Sequence, residues 1–207
     1  MMKRQSVEQA LQDALRQGEQ VLWDGTSAEF PLLAGDSRNQ ILGKWIGTAA
    51  GTAVVLALYL ENAGGRSVGM ILGILAVAVM VILSPFVEQR SVLRQHYYVT
   101  SQRVILISGD QTVYYMELGE IDEIRTVTDG TEYDSLVVGS AVFEDIKSQM
   151  RWRSCHPKMD SQGGMSSGEA LGLILFNLRD CQGAETLVRQ YQEGAAEDEE
   201  QYQAVGA

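Results

Sequence analysis

ILGKWIGTAAGTAVVLALYL at residues 41–60 and VGMILGILAVAVMVILSPFV at residues 68–87 are the two apolar stretches that decide the fold. The first contains one charged residue, Lys44, and the second contains none. About 20 helical residues cross the ~30 Å hydrocarbon core of a bilayer, whereas buried helices of soluble proteins are usually shorter and carry a polar stripe. We therefore predict two transmembrane helices, at residues 41–60 and 68–87, with Pro85 marking the end of the second.

The connecting segment, residues 61–67, is short, so the two helices must form an antiparallel hairpin with both chain ends on one side. Basic residues flank the hairpin on that side, whereas the connecting segment carries only Arg66. The flanking basic residues are Lys3, Arg4, Arg16, Arg38, Lys44, Arg90, Arg94 and Arg103. Because cytoplasmic segments of membrane proteins are enriched in Lys and Arg, we predict a multi-pass protein of the cytoplasmic membrane, with both termini in the cytoplasm and residues 61–67 outside.

Glycine recurs at every fourth position in and beside both stretches. The six glycines are Gly43, Gly47, Gly51, Gly65, Gly69 and Gly73. Small residues at this spacing line one helix face and let two backbones approach closely. We expect these glycines to pack the two helices against each other; a homodimer contact is the alternative. A pore is disfavoured because neither stretch has a polar face to line it.

The composition excludes several classes of function. The 207 residues carry a net charge of −11, which argues against nucleic-acid binding because phosphates require a basic surface. Two cysteines cannot form a disulfide framework, and their spacing from the two histidines matches no zinc-site pattern. We therefore expect no cofactor, no metal and no nucleic-acid partner, and the lipid bilayer is the first predicted partner.

The remaining segments predict a mixed α+β fold. Residues 1–40 start with a predicted helix, followed by a short strand, and the apolar residues at helical spacing are Val7, Ala10, Leu11, Ala14 and Leu15. Residues 92–192 contain seven short runs typical of strands, and then a helix for which Asp180 is the candidate N-cap. Residues 193–207 carry five acidic and no basic residues, which predicts a disordered tail.

Several short motifs resemble those of bacterial PH-like (pleckstrin homology) domain membrane proteins. Residues 98–109, YVTSQRVILISG, look like the opening of such domains, where a tyrosine and a threonine end one strand and an arginine starts the next. Residues 116–124, MELGEIDEI, look like the element that follows. Residues 15–25, LRQGEQVLWDG, are similar to the segment that precedes the membrane hairpin in many such proteins, and the order of the segments also matches.

The resemblance implies a PH-like antiparallel β-barrel or sandwich of about seven strands, in two nearly orthogonal sheets capped by a C-terminal helix. It implies no activity, because PH-like domains serve as lipid readers, peptide binders and oligomerisation modules. The sequence departs from the family pattern between Gly139 and Leu171. There Gly-Ser-Ala stands where a Gly-Thr-Ile hairpin is usual, and a long polar segment follows.

Cys155-His156, followed by Asp160, is the one pattern that suggests nucleophilic catalysis. A catalytic base is normally adjacent to its nucleophile in space, whereas neighbouring residues on an extended chain point apart. We therefore expect no catalytic residue, and Cys181 is expected to be a small core residue of the last helix.

A basic cluster around residue 152 is the candidate binding site. The alternation of Met150, a tryptophan and Ser154 predicts a strand, with two arginines sharing the face opposite the tryptophan. The candidate binding residues are Arg151, Trp152, Arg153 and Lys158. One interpretation is a patch for lipid headgroups or an acidic partner near the membrane. The other is a solvated strand face whose charge is offset by Glu144 and Asp145.

These observations together predict a membrane-anchored, non-catalytic binding or scaffold module. The hairpin would fix its location, and the domain would present a sheet edge or loop to a protein or peptide partner, or to lipid headgroups. The alternative is a small oligomeric transport or channel component that assembles through the glycine-lined helices. Besides the lipid bilayer, we expect a protein partner or self-association.

Overall fold

The computed structural model describes residues 2–35, 37–62, 67–140, 146–159 and 168–205. The helices in these residues are α1 (Met2–Ala14), α2 (Ser37–Asn62), α3 (Val68–Val92), α4 (Ile146–Cys155) and α5 (Cys181–Val205). The strands are β1 (Val21–Thr26), β2 (His96–Thr100), β3 (Arg103–Ile107), β4 (Val113–Glu117), β5 (Ile124–Val127), β6 (Ser135–Val138), β7 (Lys158–Met159) and β8 (Ala170–Leu175).

The strands form two antiparallel sheets. The first sheet has the order β1-β2-β3-β4, and the second has the order β5-β6-β8-β7, in which β7 contributes two residues. Two isolated bridges, Ser27–Leu178 and Tyr115–Glu169, join the sheets. The α+β class is therefore confirmed, but no closed barrel forms among the residues that the structure describes.

The main core lies between the two sheets and is closed by α5. Strand residues such as Tyr97, Leu106 and Leu173 are fully buried there, together with Ala184 and Val188 of the helix. α5 begins as predicted, because the amide of Gly183 donates to Asp180 Oδ1 at 3.1 Å and Asp180 therefore caps the helix.

Helix α1 covers the other face of the first sheet. Its Val7 packs with Tyr98, Ile105 and Ile107, which are buried on the side away from the main core. This second layer explains why residues 104–107 of β3 are continuously apolar rather than alternating, because both faces of the strand are covered.

The helical hairpin of α2 and α3 is inserted between β1 and β2. These two strands pair antiparallel, with Gly25 opposite Tyr97 and Thr26 opposite His96, so the chain leaves the first sheet and returns to it. The helices have 26 and 25 residues, or about 39 and 37 Å of helix. They are long and apolar enough to cross a membrane, and only 6% of each apolar window is buried within the chain.

Pro85 does not end the second apolar helix, contrary to the sequence prediction. It lies inside α3, which continues to Val92. A proline inside a helix leaves the carbonyl four residues earlier without its amide donor. Here the hydroxyl of Ser84 donates to that carbonyl, on Val81, at 3.0 Å. Lys44 Nζ of α2 in turn donates to Ser84 Oγ at 2.6 Å.

Aromatic side chains brace the same part of the hairpin. Trp45 Nε1 of α2 donates to the Ile82 carbonyl at 3.0 Å, and the Trp45 ring stacks on Phe86 with centroids 6.0 Å apart. The carbonyls around the proline are thus satisfied by Ser84 of the same helix and by Trp45 of α2, and this allows α3 to continue into the folded domain.

The five predicted glycines that the structure describes do not form the contact between α2 and α3, contrary to expectation. The face of α2 toward α3 carries Trp45, Thr48, Thr52 and Leu56, which are partly buried at helical spacing. The glycines lie elsewhere. Among described atoms, none is within 4 Å of an ideal Cβ on Gly43, Gly47, Gly51 or Gly73, and Gly69 meets only Ser67 Oγ at 3.7 Å. Gly65 lies outside the described residues.

The predicted sixth strand, around residues 150–154, is the helix α4. Burial of Met150, Arg151 and Ser154 follows helical spacing rather than alternation. The polar Ser154 is accommodated because its hydroxyl donates to the Arg151 carbonyl one turn earlier, at 2.8 Å. The alternation of residues 150, 152 and 154 in the sequence therefore does not reflect a strand.

The last helix is longer than predicted. The sequence predicts that the helix ends near Gly194 and that residues 193–207 form a disordered tail, but α5 is helical through Val205. The acidic segment is rich in Glu, Gln and Ala, which have high helix propensity, and a single glycine is tolerated at a cost of about 1 kcal/mol.

Glu19 and Arg103 form a buried ion pair between segments on either side of the hairpin. Arg103 Nη2 lies 2.6 Å from Glu19 Oε2, and the two side chains are 5% and 0% exposed, respectively. Thr100 Oγ1 donates to Glu19 Oε1 at 2.6 Å, and the Arg16 amide donates to Oε2 at 2.8 Å. These residues belong to the motifs that carry the family resemblance.

The electrostatics of this pair favour the charged form of Glu19. Burial on its own would raise the Glu19 pKa, but hydrogen bonds from Arg103, the Arg16 amide and Thr100 outweigh it and lower the pKa from 4.5 to about 2. Arg103 also donates to the Ala14 carbonyl at 2.8 Å and lies 4.8 Å from the Tyr115 ring centroid.

Replacing Glu19 by Gln is expected to lower the free energy of unfolding by about 3–5 kcal/mol, because the buried Arg103 charge loses its partner. Tryptophan fluorescence during denaturant unfolding of the detergent-solubilised chain measures this. The matched control is Glu185→Gln, which breaks an exposed pair with Arg189 and should cost about 1 kcal/mol or less.

The parent chain should also lose stability as the pH falls from 4.5 toward 2. A carboxyl with a depressed folded-state pKa stabilises the fold above its unfolded value, and that stabilisation disappears as it becomes protonated. Glu19→Gln should remove this part of the pH dependence. Equal unfolding free energies for Glu19→Gln and Glu185→Gln would contradict the assigned role of the pair.

Candidate functional site

The base of the hairpin is continuous with the folded domain. Val92, at the end of α3, is buried in a cluster with Phe30, Met150, Ile174 and Phe176. This cluster lies between α4 and the outer face of the second sheet. The predicted basic cluster, carried by α4, is therefore placed where the apolar helices enter the domain.

Arg151 is a positioning residue of this junction rather than part of an open binding patch. It is only 3% exposed. Its guanidinium donates to the carbonyls of Leu32 at 2.7 Å and Ala34 at 3.1 Å, and lies 4.8 Å from the Phe30 ring centroid. Burial lowers the pKa of Arg151, while Asp129 and Glu88 act in the opposite direction. Through its two carbonyl hydrogen bonds, Arg151 therefore holds the loop between β1 and α2 against α4.

The other predicted residues are arranged differently. Trp152 is 42% exposed, its ring stacks on His156 with centroids 4.8 Å apart, and the Arg153 guanidinium lies 5.2 Å from its centroid. Lys158 lies in β7, opposite Gly172. On a helix, Arg151 and Arg153 do not share a face. The predicted four-residue patch therefore divides into buried Arg151, the exposed Trp152 with half-buried Arg153, and Lys158 on a separate strand.

A small cleft of about 160 Å³ adjoins this junction. Its walls include Lys44 and Ile41 of α2, Pro85 and Glu88 of α3, and Trp152. The carboxylate of Glu88 offsets one of the two positive charges of Lys44 and Arg151, so the cleft is not a strongly cationic anion site. The headgroup interpretation of the basic cluster gains no support from this charge balance.

The two cysteines are placed as structural thiols. Burial raises the pKa of Cys155 to about 11, and its thiol donates to the Glu88 carbonyl at 3.4 Å. His156 Nδ1 lies 3.0 Å from the Trp152 carbonyl oxygen. Burial also raises the pKa of Cys181 in the main core. A thiol with a raised pKa is a poor nucleophile at neutral pH.

A larger groove, about 510 Å³, lies between β1 and the start of α5. β1 contributes residues 23–26, and the opposite wall is formed by Leu178, Arg179 and Asp180. Trp23 Nε1 donates to Asp180 Oδ2 at 3.2 Å, and the indole lies close over Gly25, where a Cβ would collide with it. Sequence reasoning missed this groove, because Trp23 and Asp180 meet only through the fold.

Groups of His, Cys, Asp or Glu that could hold a metal ion do not occur among the described residues. No protein family, curated protein or solved structure matches this chain.

Replacing Arg151 by Met should destabilise the junction by about 1–3 kcal/mol, because the Leu32 and Ala34 carbonyls lose their buried donors. The readouts are the melting temperature and the rate of proteolysis between Pro31 and Gly35. Arg153→Met removes the same charge from the same helix and should have the smaller effect. Equal effects of the two substitutions would refute the assignment of Arg151 as the clamp.

Proposed function

We propose that the chain is a membrane-anchored, non-catalytic binding or scaffold module with a PH-like domain. The hairpin of α2 and α3 holds the domain at the inner face of the cytoplasmic membrane, where it binds a protein or peptide partner. The observation that carries this proposal is the insertion of two apolar, exposed helices between two paired strands of one sheet.

The PH-like part of the proposal is supported by the arrangement of the strands. Two antiparallel sheets pack over a core that a C-terminal helix closes. The motif residues on either side of the hairpin also meet, since Glu19 contacts both Thr100 and Arg103. This contact explains physically why a Gly-Glu segment before the hairpin would accompany a Thr-x-x-Arg segment after it.

Membrane anchoring is supported by the exposure of the helices. Side chains such as Ile46, Val54, Val77 and Met80 are more than half exposed within the chain. Contiguous apolar surface of this extent is unfavourable in water and favourable in lipid. The basic residues at the domain end of the hairpin support a cytoplasmic location for the domain.

Cysteine labelling on intact cells tests the proposed topology. Cys155 and Cys181 are first replaced by Ala, and single cysteines are then introduced by Asn62→Cys or Gln190→Cys. Asn62 ends α2, and Gln190 is exposed on α5. We expect a membrane-impermeant maleimide to label the first variant on whole cells and the second only after permeabilisation.

Two results would overturn the anchoring proposal. Labelling of both variants on intact cells would place the domain outside, and recovery of the protein in the soluble fraction would show that the helices do not anchor it.

Crosslinking in native membranes, followed by mass spectrometry, then identifies the protein partner that the proposal requires. Reproducible recovery of the chain without a crosslinked protein would contradict the scaffold function.

One observation favours the second candidate, a small oligomeric transport or channel component. The glycine faces of α2 and α3 are turned away from the contact between these helices and remain open in the single chain. Small residues on an open face allow close approach of another helix. Self-association of hairpins would be compatible with a scaffold as well, so transport itself must be measured.

Gly51→Cys and Thr52→Cys separate these outcomes. Gly51 lies on the open face and Thr52 on the face toward α3. Under the oligomer interpretation, a short bismaleimide in native membranes should yield dimers of Gly51→Cys in excess over Thr52→Cys. If the parent chain also dissipates an ion gradient in vesicles, the transport function replaces the scaffold; without ion flux, the scaffold is retained.

A further inference from the structure

The sheet edges differ in what covers them. At β4, the Tyr115 amide donates to the Gly168 carbonyl at 2.9 Å, so the backbone directly before β8 covers this edge. At β5, side chains of α5 take the place of a strand. Arg189 Nη2 donates to the Ile124 carbonyl at 3.1 Å, and Thr126 Oγ1 donates to Glu185 Oε2 at 2.6 Å. Covered edges do not accept an additional strand.

Strand β1 is the edge of the first sheet, and it borders the groove of about 510 Å³. One end of the groove is closed by the Ser27–Leu178 bridge and by the hydrogen bond from the Ala28 amide to the Asn177 carbonyl, at 2.9 Å. An edge strand presents a row of backbone donors and acceptors. The volume suits a few residues of extended chain.

The groove has an acidic lining. Asp24, Glu29 and Asp180 contribute three carboxylates, against one guanidinium from Arg179. Asp24 and Glu29 are exposed, so their charges are available to an incoming segment. This charge favours a cationic partner and repels the phosphates of lipids or nucleic acids.

The groove also lies close to the membrane end of the domain. Leu93, which directly follows α3, forms part of its wall. Under the proposed topology, this end faces the inner membrane surface. Cytoplasmic segments that adjoin transmembrane helices are enriched in Lys and Arg. The groove is therefore positioned to meet basic segments of neighbouring membrane proteins.

We propose that the groove between β1 and the start of α5 binds an extended, Lys- or Arg-rich cytoplasmic segment of a membrane protein partner. The segment lies along β1, and its cationic side chains pair with Asp24 and Glu29. This inference rests on the proposed function, and it specifies the edge and the chemistry through which a partner is bound.

Binding of a model peptide to the full chain tests the groove directly. The chain is placed in nanodiscs of zwitterionic phosphatidylcholine, so that the lipid itself does not attract the peptide. The probe is a fluorescein-labelled peptide of five Lys-Thr repeats, and the matched peptide has five Glu-Thr repeats. We expect saturable anisotropy with the Lys peptide only, and an affinity that falls as salt rises.

The variant Asp24→Asn/Glu29→Gln should weaken binding of the Lys peptide by about tenfold, which corresponds to about 1.4 kcal/mol. Asp180 is left unchanged because it caps α5. The matched control is Glu8→Gln/Asp13→Asn, which makes the same change in net charge on the exposed side of α1. The control should bind the peptide as the parent does.

Three results would overturn the proposal: no saturable binding of the Lys peptide, equal binding of the Glu peptide, or equal weakening by the two double variants. None of these results affects the anchoring proposal, which the cysteine labelling tests separately. If labelling confirms the topology while the Lys peptide fails to bind, the scaffold remains and its partner binds elsewhere.

Discussion

The buried pair of Glu19 and Arg103 is the interaction on which the architecture depends. The two residues are 84 positions apart, and the whole hairpin lies between them. An isolated charge in the core would cost several kcal/mol, so neither residue is stable there without the other. The segment before the hairpin is therefore a structural part of the domain. If the residues after the hairpin folded alone, the Arg103 charge would either be buried without its partner or be exposed to solvent.

A second constraint connects the apolar helices rigidly to this domain. α3 continues past Pro85 into the buried cluster around Val92 and Phe30, and Arg151 holds the intervening loop by two carbonyl hydrogen bonds. Because the hairpin both leaves and re-enters the first sheet, its two helices are fixed at two points. The orientation of the domain relative to the helices is thus set by packing rather than by a flexible linker.

Features governed by local pattern could be predicted from the sequence, whereas features that depend on tertiary partners could not. The apolar stretches, the strand runs around Tyr98 and Leu173, and the Asp180 cap depend on composition and nearby spacing. The continuation of α3 past Pro85 does not follow from local pattern, because Ser84, which donates in place of the missing amide, is itself held by Lys44 on the other helix. The alternation around Arg151 favours a strand, whereas the burial of these residues against the second sheet follows the spacing of a helix.

The net charge of the chain and the covering of its sheet edges both oppose strand pairing between copies. Glu185 and Arg189 close the edge at β5, and Gly168 closes the edge at β4. The net charge of −11 on the whole chain disfavours association between its copies. Covered edges and like charges both disfavour nonspecific strand pairing between copies. Under the proposed function, β1 selects its occupant by charge as well as by backbone pairing, because the acidic groove lies along this edge.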